Sequence, residues 1–307
     1  MSPIKYLKHS EIDLVKWDDR IRDSQNGIIY AYSWYLDIVC KNWGALTEGN
    51  YETVMPLTAG KKLGINYLYP PYGTQQLGVF SKEKLSEQKV KDFLDAIPAL
   101  YKYIEINLNT AHPPLLWRGV RGEVKLTHEL SLNNPYETLH QHFSENTKRN
   151  LKKANKHGLQ ILKNIAPVEV IKMFRENRGK QLDKLTDKHY GILKKLINEC
   201  IKRKCGKVWG VADANNKLCA GAFFVESNNK IIFLFSGANE KAKENAALPF
   251  LIDRCVSEHA GSGKILDFEG SNDPGLARFY KGFGSAECVY LQVKKNNLPK
   301  LIKWIKK

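Results

Sequence analysis

Two carboxylates and a tyrosine near the C-terminal end of the chain have the types and spacing of a proton-transfer site. Asp267 and Glu269 stand two apart in the apolar run Lys264–Glu269, and Tyr280 follows in Leu276–Gly284. Alternate residues of a strand share a face, so both carboxylates are expected to point into one cleft. Close carboxylates push one pKa up, which readies a general base near neutral pH. The Tyr280 hydroxyl can act as a general acid toward a leaving thiolate or hydroxyl. The structural alternatives are a carboxylate that caps the following turn through Ser271 or Asn272, and a tyrosine that fills the core.

For these groups to meet, Ile265–Glu269 must be a buried strand, Gly270–Pro274 a polar turn and Leu276–Lys281 a short helix. The residues before them supply a frame. Helical apolar spacing runs through 168–181 and 187–204, the latter through Tyr190, Leu193, Leu196, Ile197 and Ile201. After Gly206 the period changes, and 207–213, 218–226 and 230–236 read as three strands joined by hairpins at Asn215-Asn216 and Asn228-Asn229. A helix is expected from Ala242 to His259, ended by Gly261 and Gly263, and a last strand over 287–293.

A weaker copy of this order occupies the first half: helices at 11–22 and 33–41, strands at 44–47, 52–58 and 65–68, a helix at 86–96, and strands at 103–108 and 124–130. Two structural repeats are therefore expected, joined near 131–146.

Between them, Ser144 can cap and Gly158 can end a helix on which Arg149, Lys152, Lys153 and Lys156 share one face. Such a stripe can track phosphates or be a solvated linker. In the first half, Tyr69–Gly78 joins two prolines to Tyr72, Gln75 and Gln76, a rigid loop with hydrogen-bonding amides for a polar ligand. The tail 298–307 reads as a short basic amphipathic helix, able to dock on the body or to touch an anionic membrane. Other motifs fail on context. Gly261–Lys264 lacks the first glycine and the Ser or Thr of a phosphate loop and precedes its strand. His140 and His142 have no third ligand, so no metal is expected. No nucleophile elbow is present.

The 307-residue chain carries a formal charge of +16, a field that attracts nucleic acid, nucleotides or anionic membrane. Its 43% hydrophobic and 26% charged residues exclude a disordered chain. With no apolar leader or membrane-length run, a cytoplasmic location is expected. The six cysteines lie far apart and read as reduced thiols.

With these residues in place, the second half resembles the GNAT acyltransferase fold: a hairpin-built sheet, a cofactor-contacting helix, a strand, and a short helix. Asn272, Ala277, Tyr280 and Phe283-Gly284 match the last motif. The whole chain resembles the FemAB-like, peptidoglycan-bridge-type double-GNAT branch. The resemblance implies an α+β (α/β) protein of two tandem units, each a mixed, mostly antiparallel sheet flanked by helices. These would be 1–135, on the acceptor side, and 136–307, with the basic linker helix 145–157.

It further implies acyl transfer to an amine, with Glu269 (or a water it orients) taking the proton, Asp267 beside it, and Tyr280 aiding the leaving group. The donor is acetyl-CoA or another acyl-CoA, or alternatively an aminoacyl-tRNA. The acceptor is an amine-bearing small molecule or a muropeptide precursor. Ser236, Gly237, Ala238, Lys241, Lys243, Asn245, Ala246 and Asn272 would hold the cofactor, and Tyr72, Gln75, Gln76, Lys148, Arg149 and Lys152 the substrate. The chain departs from the CoA pattern in 236–247, where the phosphate-approaching glycines are missing from the helix start. A non-catalytic RNA- or nucleotide-binding module on the same fold is the alternative from another class.

Overall fold

The computed structural model describes residues 2–112, 121–181, 185–270 and 272–298. The tail 299–307, expected as a basic helix, and Ser271 lie outside the described residues. The chain divides into two units, one of 1–125 with 289–307 and one of 126–288. The expected division into 1–135 and 136–307 is corrected by long-range pairing. Gln292–Asn296 of the final strand pair antiparallel with Tyr103–Asn107, so the C-terminal segment is hydrogen-bonded into the first unit.

The first unit begins with β1 (Ile4–Leu7), α1 (Leu14–Asp23), α2 (Ser33–Val39), β2 (Gly44–Glu48), β3 (Thr53–Leu57), β4 (Ala59–Lys62), β5 (Ile65–Leu68) and β6 (Phe80–Ser81). It continues with α3 (Glu87–Asp95), β7 (Tyr101–Asn107) and the start of β8 (Arg121–Ser131). Asp13 starts α1 by accepting from the amides of Val15 and Lys16, and Ser86 caps α3 in the same way. The strands β1–β2–β3–β6 form a small antiparallel sheet. β4 pairs antiparallel and β7 parallel with β5. Leu46, Met55, Leu57, Val90, Phe93, Ile104 and Val293 close its core.

The second unit holds the rest: α4 (Tyr136–Gln141), α5 (Glu145–Lys156), β9 (Gln160–Lys163), α6 (Pro167–Glu176), α7 (Asp187–Lys202), β10 (Gly206–Ala212), β11 (Leu218–Ser227) and β12 (Lys230–Ala238). Then come α8 (Lys241–Glu244), α9 (Ala247–His259), β13 (Ile265–Gly270), α10 (Pro274–Lys281) and β14 (Ala286–Asn296), whose first residues belong here. Strand order is β9–β10–β11–β12–β13–β8, antiparallel except between β12 and β13. The hairpin at Asn228-Asn229 forms as read, both residues at the positive φ that its turn requires.

α6 packs on β12, α7 on β10, and α9 on β10 and β11, with α5 laid over α9 and its Leu151 and Ala154 in the shared core. The helix expected over 242–259 is two helices. Ala246 adopts a left-handed conformation, φ 59°, and breaks it between Glu244 and Ala247. His140 is in α4, and His142 follows that helix directly.

Candidate active site

β12 and β13 run parallel only from Lys230–Ile232 against Ile265–Asp267. Beyond that register β12 keeps its pairing with β11 to Ala238, while its other edge is released from β13. The strand ends Phe233–Ala238 and Phe268–Gly270 are thus no longer hydrogen-bonded to each other. A parallel pair that opens partway along its length leaves unpaired backbone facing the gap, a place for a ligand at the C-terminal ends of the strands.

β13 bulges at this point. Asp267 lies opposite Glu129 of β8 and Gly270 opposite Thr127, so two residues, Phe268 and Glu269, face the single residue His128. Glu269 stands at φ 58°, a conformation that glycine tolerates and other residues adopt at a cost. The alternation expected for Asp267 and Glu269 therefore fails: the bulge re-aims Glu269 and leaves it half-buried, while Asp267 is buried.

Asp267 is committed to its own network. Its Oδ1 accepts from Thr127 Oγ1 at 2.8 Å and from the Glu269 amide at 2.9 Å. Its Oδ2 lies 3.4 Å from Lys230 Nζ, which also bonds Glu129 at 2.5 Å. Burial raises the Asp267 carboxyl above its ordinary value, against the pull of Lys230. The bond to the Glu269 amide makes Asp267 the residue that holds the bulge in shape.

Asp273 starts α10 by accepting from the amides of Gly275 and Leu276, and Pro274 supplies its first turn. The capping role left open to Asp267 or Glu269 belongs to Asp273. α10 brings Tyr280 down onto Phe268, ring centroids 5.0 Å apart and nearly parallel, with Phe279 and Phe283 around it. Burial raises the Tyr280 hydroxyl, and the charges of Glu269 and Asp273 raise it further, so it stays protonated. The structure thus brings Glu269, Asp267 and Tyr280 to one end of β13.

One further residue joins them. The His128 side chain is 0% exposed, its ring 5.9 Å from that of Tyr280, and neither ring nitrogen has a hydrogen-bond partner among the described residues. The sequence reading does not single it out. Its signal was an imidazole in the apolar register of a strand, after Val124 and Leu126 and before Leu130.

The expected cofactor residues lie on the other side of the opening. Ser236 is half-buried on β12 opposite Ala222. A Cβ on Gly237 would collide with the Val170 carbonyl oxygen, so the α6 backbone fills the space beside this glycine. Ala238 ends the strand, half-buried. Lys241 and Lys243 are exposed on α8, and Ala246 is buried. Asn245 is buried with Nδ2 3.6 Å from Cys219 Sγ and Oδ1 unpartnered. α9 has Pro249 as its third residue, which removes one of the few free amides at its start. Asn272 is exposed just before the α10 cap.

Of the basic residues, Lys148 folds back onto Glu145 and the Gln141 carbonyl, each at 3.2 Å. Arg149, Lys152, Lys153 and Lys156 are exposed, and none forms an ion pair among the described residues. In the first unit, Gln76 is 1% exposed with its amide spent on Gln75 Oε1 and the Thr110 amide, and Asn107 holds the Gln75 carbonyl. Tyr72 and Gln75 are half-buried. Among the described residues no cluster of three or more His, Cys, Asp or Glu could hold a metal ion. Among them, too, no helix is long and apolar enough to cross a membrane.

Neither a protein-family model nor a curated protein sequence matches the chain. Solved structures do. FemX is similar with a TM-score of 0.66 at 12% identity, over 98% of this chain and 100% of its own. A conserved protein of unknown function from Bacteroides thetaiotaomicron follows at 0.58 and 9%, over 96% and 99%. The C-terminal domain of a putative lysylphosphatidylglycerol synthetase from Agrobacterium fabrum gives 0.55 and 9%, over 95% and 94%. At such identities the likeness establishes the fold. The chain shares the fold of FemX, a mixed α/β protein of mostly antiparallel sheets flanked by helices, as the sequence resemblance implied.

Proposed function

We propose that the protein transfers an aminoacyl group from tRNA to an amine acceptor at the opening between β12 and β13. The observation that carries the reading is the bulge itself. A half-buried carboxylate is held by Asp267 in a costly left-handed conformation, beside a tyrosine kept protonated by burial, where two parallel strands part. Strain of this kind persists where the surroundings over-determine it, and it favours a functional site.

In this reading the amine nitrogen attacks the donor carbonyl, and Glu269, or a water it orients, accepts a proton from the amine. The Tyr280 hydroxyl protonates the departing oxygen.

The choice of donor follows from fit. A CoA pyrophosphate needs close backbone approach and free amides at a helix start. Here Ala246 carries a Cβ at the left-handed position, Pro249 has no amide and α6 crowds Gly237. These residues fit a pyrophosphate poorly, whereas the unpaired cations of α5 suit an RNA backbone.

Calorimetric titration of the full chain with acetyl-CoA and with charged tRNA, followed by transfer of a labelled amino acid to a UDP-linked muropeptide, tests the reading. Binding and transfer from charged tRNA are expected. Binding of acetyl-CoA alone would overturn the donor. Salt-steep RNA binding without transfer from any donor would leave a binding module.

A further inference from the structure

We propose that His128 is the internal proton acceptor of the second unit's site, relaying the surplus proton of each transfer to solvent through Glu287. The proposal rests on the transfer reading above. Amide formation from an ammonium and an ester forms a C–N bond and breaks a C–O bond. The leaving oxygen takes one proton, and one more must depart. Glu269, half-buried at the bulge, can receive that proton and must discharge it before the next turnover.

His128 is the neighbour of this carboxylate in the sheet register. It is the one residue opposite the bulge that carries Glu269, and its ring packs against Tyr280. On its far side, Nε2 lies 4.0 Å from Glu287 Oε1, an oxygen that Lys281 Nζ holds at 3.0 Å. Glu287 is 43% exposed and Lys281 48%, so this ion pair is the contact between a fully enclosed imidazole and water. On the segment leading to Glu287, Ser285 Oγ is also buried without a partner.

A purely structural histidine would have its nitrogens satisfied, because a buried polar atom left without a bond is costly. The charged or titratable groups facing His128 are Glu287 from β14 and Lys281 and Tyr280 from α10, with Glu269 across the bulge. Burial lowers the imidazole pKa and Lys281 lowers it further, while Glu287 opposes. The ring is thus neutral at pH 7, the form that accepts a proton. Once protonated, it draws Glu287 away from Lys281, and Glu287 hands the proton to water.

The test has two arms on the full chain. In the first, the imidazole Cε1–H resonances of histidine-labelled protein are titrated, His128 being assigned by its loss in His128→Gln. Its midpoint is expected below the ordinary histidine value. It should fall by at least about half a unit in Glu287→Gln and rise in Lys281→Met. A midpoint identical in both variants, or no titration at all, overturns the relay without any appeal to transfer.

In the second arm, turnover is measured with charged tRNA and a UDP-linked muropeptide. His128→Gln is expected to lower kcat about 10- to 100-fold at unchanged KM, at or below the low end of the roughly 100- to 10,000-fold that general acid–base groups contribute, because the ring acts on the proton's exit and not on the reacting atoms. The acidic limb of the rate profile should move to lower pH in Glu287→Gln, whose exposed position spares the fold. If wild type turns over and His128→Gln matches it, only the relay falls. If wild type transfers from no donor, the reading it rests on falls and takes the relay with it.

Discussion

His112 in the first unit and His128 in the second are both pushed below the ordinary histidine pKa by burial, yet their surroundings are opposite in kind. His112 is pinned: Nε2 accepts from the Val79 amide at 3.0 Å, and Nδ1 lies 2.8 Å from Asn109 Oδ1. Gly78, at φ 110°, leaves room for this ring, where any Cβ would collide with it. His128 has neither nitrogen bonded. The first histidine ties a loop down, whereas the second has no such tie among the described residues. Burial is common to both, so it is the missing partner that separates a structural group from a chemical one.

Pinned groups should be costly to remove, and the largest loss is expected at Asp267. Asp267→Asn breaks a buried pair with Lys230 and weakens the grip on the Glu269 amide. The lower part of the range for breaking a buried pair applies, because Lys230 keeps Glu129: about 3 kcal/mol by urea denaturation. A loss under about 1 kcal/mol would show that the network does not hold the bulge.

His112→Leu comes next, at about 2 kcal/mol, from two lost bonds and an orphaned Val79 amide. Its pH dependence has a definite sign. The folded pKa is lowered from 6.5 to about 4, so the unfolded chain binds the extra proton first. The stability this group contributes is fully present above about pH 6.5 and lost as pH falls toward 4. It amounts to at most about 3 kcal/mol at about 1.4 kcal/mol per unit. Wild type should lose stability over that window relative to His112→Leu, which lacks the titrating ring. Parallel pH profiles would break the comparison on its structural side.

Local patterns carried much of this. The hairpin strands, α5 with its Ser144 cap, and the strand–turn–helix bearing Tyr280 could be read from period and turn residues. What could not be read depended on partners far away in sequence. The return of Gln292–Asn296 to β7 has no local signature, and it moved the boundary between the units. The bulge at Phe268–Glu269 is set by pairing with β8, some 140 residues earlier, and by a carboxylate that reads from sequence as a second catalytic acid but is spent on the bulge. Gln76, likewise, has the chemistry of a ligand contact and is consumed by its own loop.

Glu269 sharpens the other half of the comparison. A left-handed glutamate is held against its own preference, so Glu269→Gly should stabilise the chain by about 0.5–1 kcal/mol while removing the carboxylate and the transfer it serves. The measurement pairs a denaturation curve with a turnover assay. A destabilised variant would mean that the Glu269 side chain supports the fold and that the conformation stores no strain.

The smallest effect is the most discriminating. His128→Leu swaps an unbonded imidazole for an apolar group of similar size against Tyr280, leaving no donor or acceptor behind. Stability should be nearly unchanged or rise, because the unpaired ring nitrogens are removed along with the ring. Set beside the loss at His112, this gives two buried histidines with opposite responses to one substitution. A loss at His128 as large as that at His112 would mean that its nitrogens are bonded in solution, and the two residues would then be structural in the same sense.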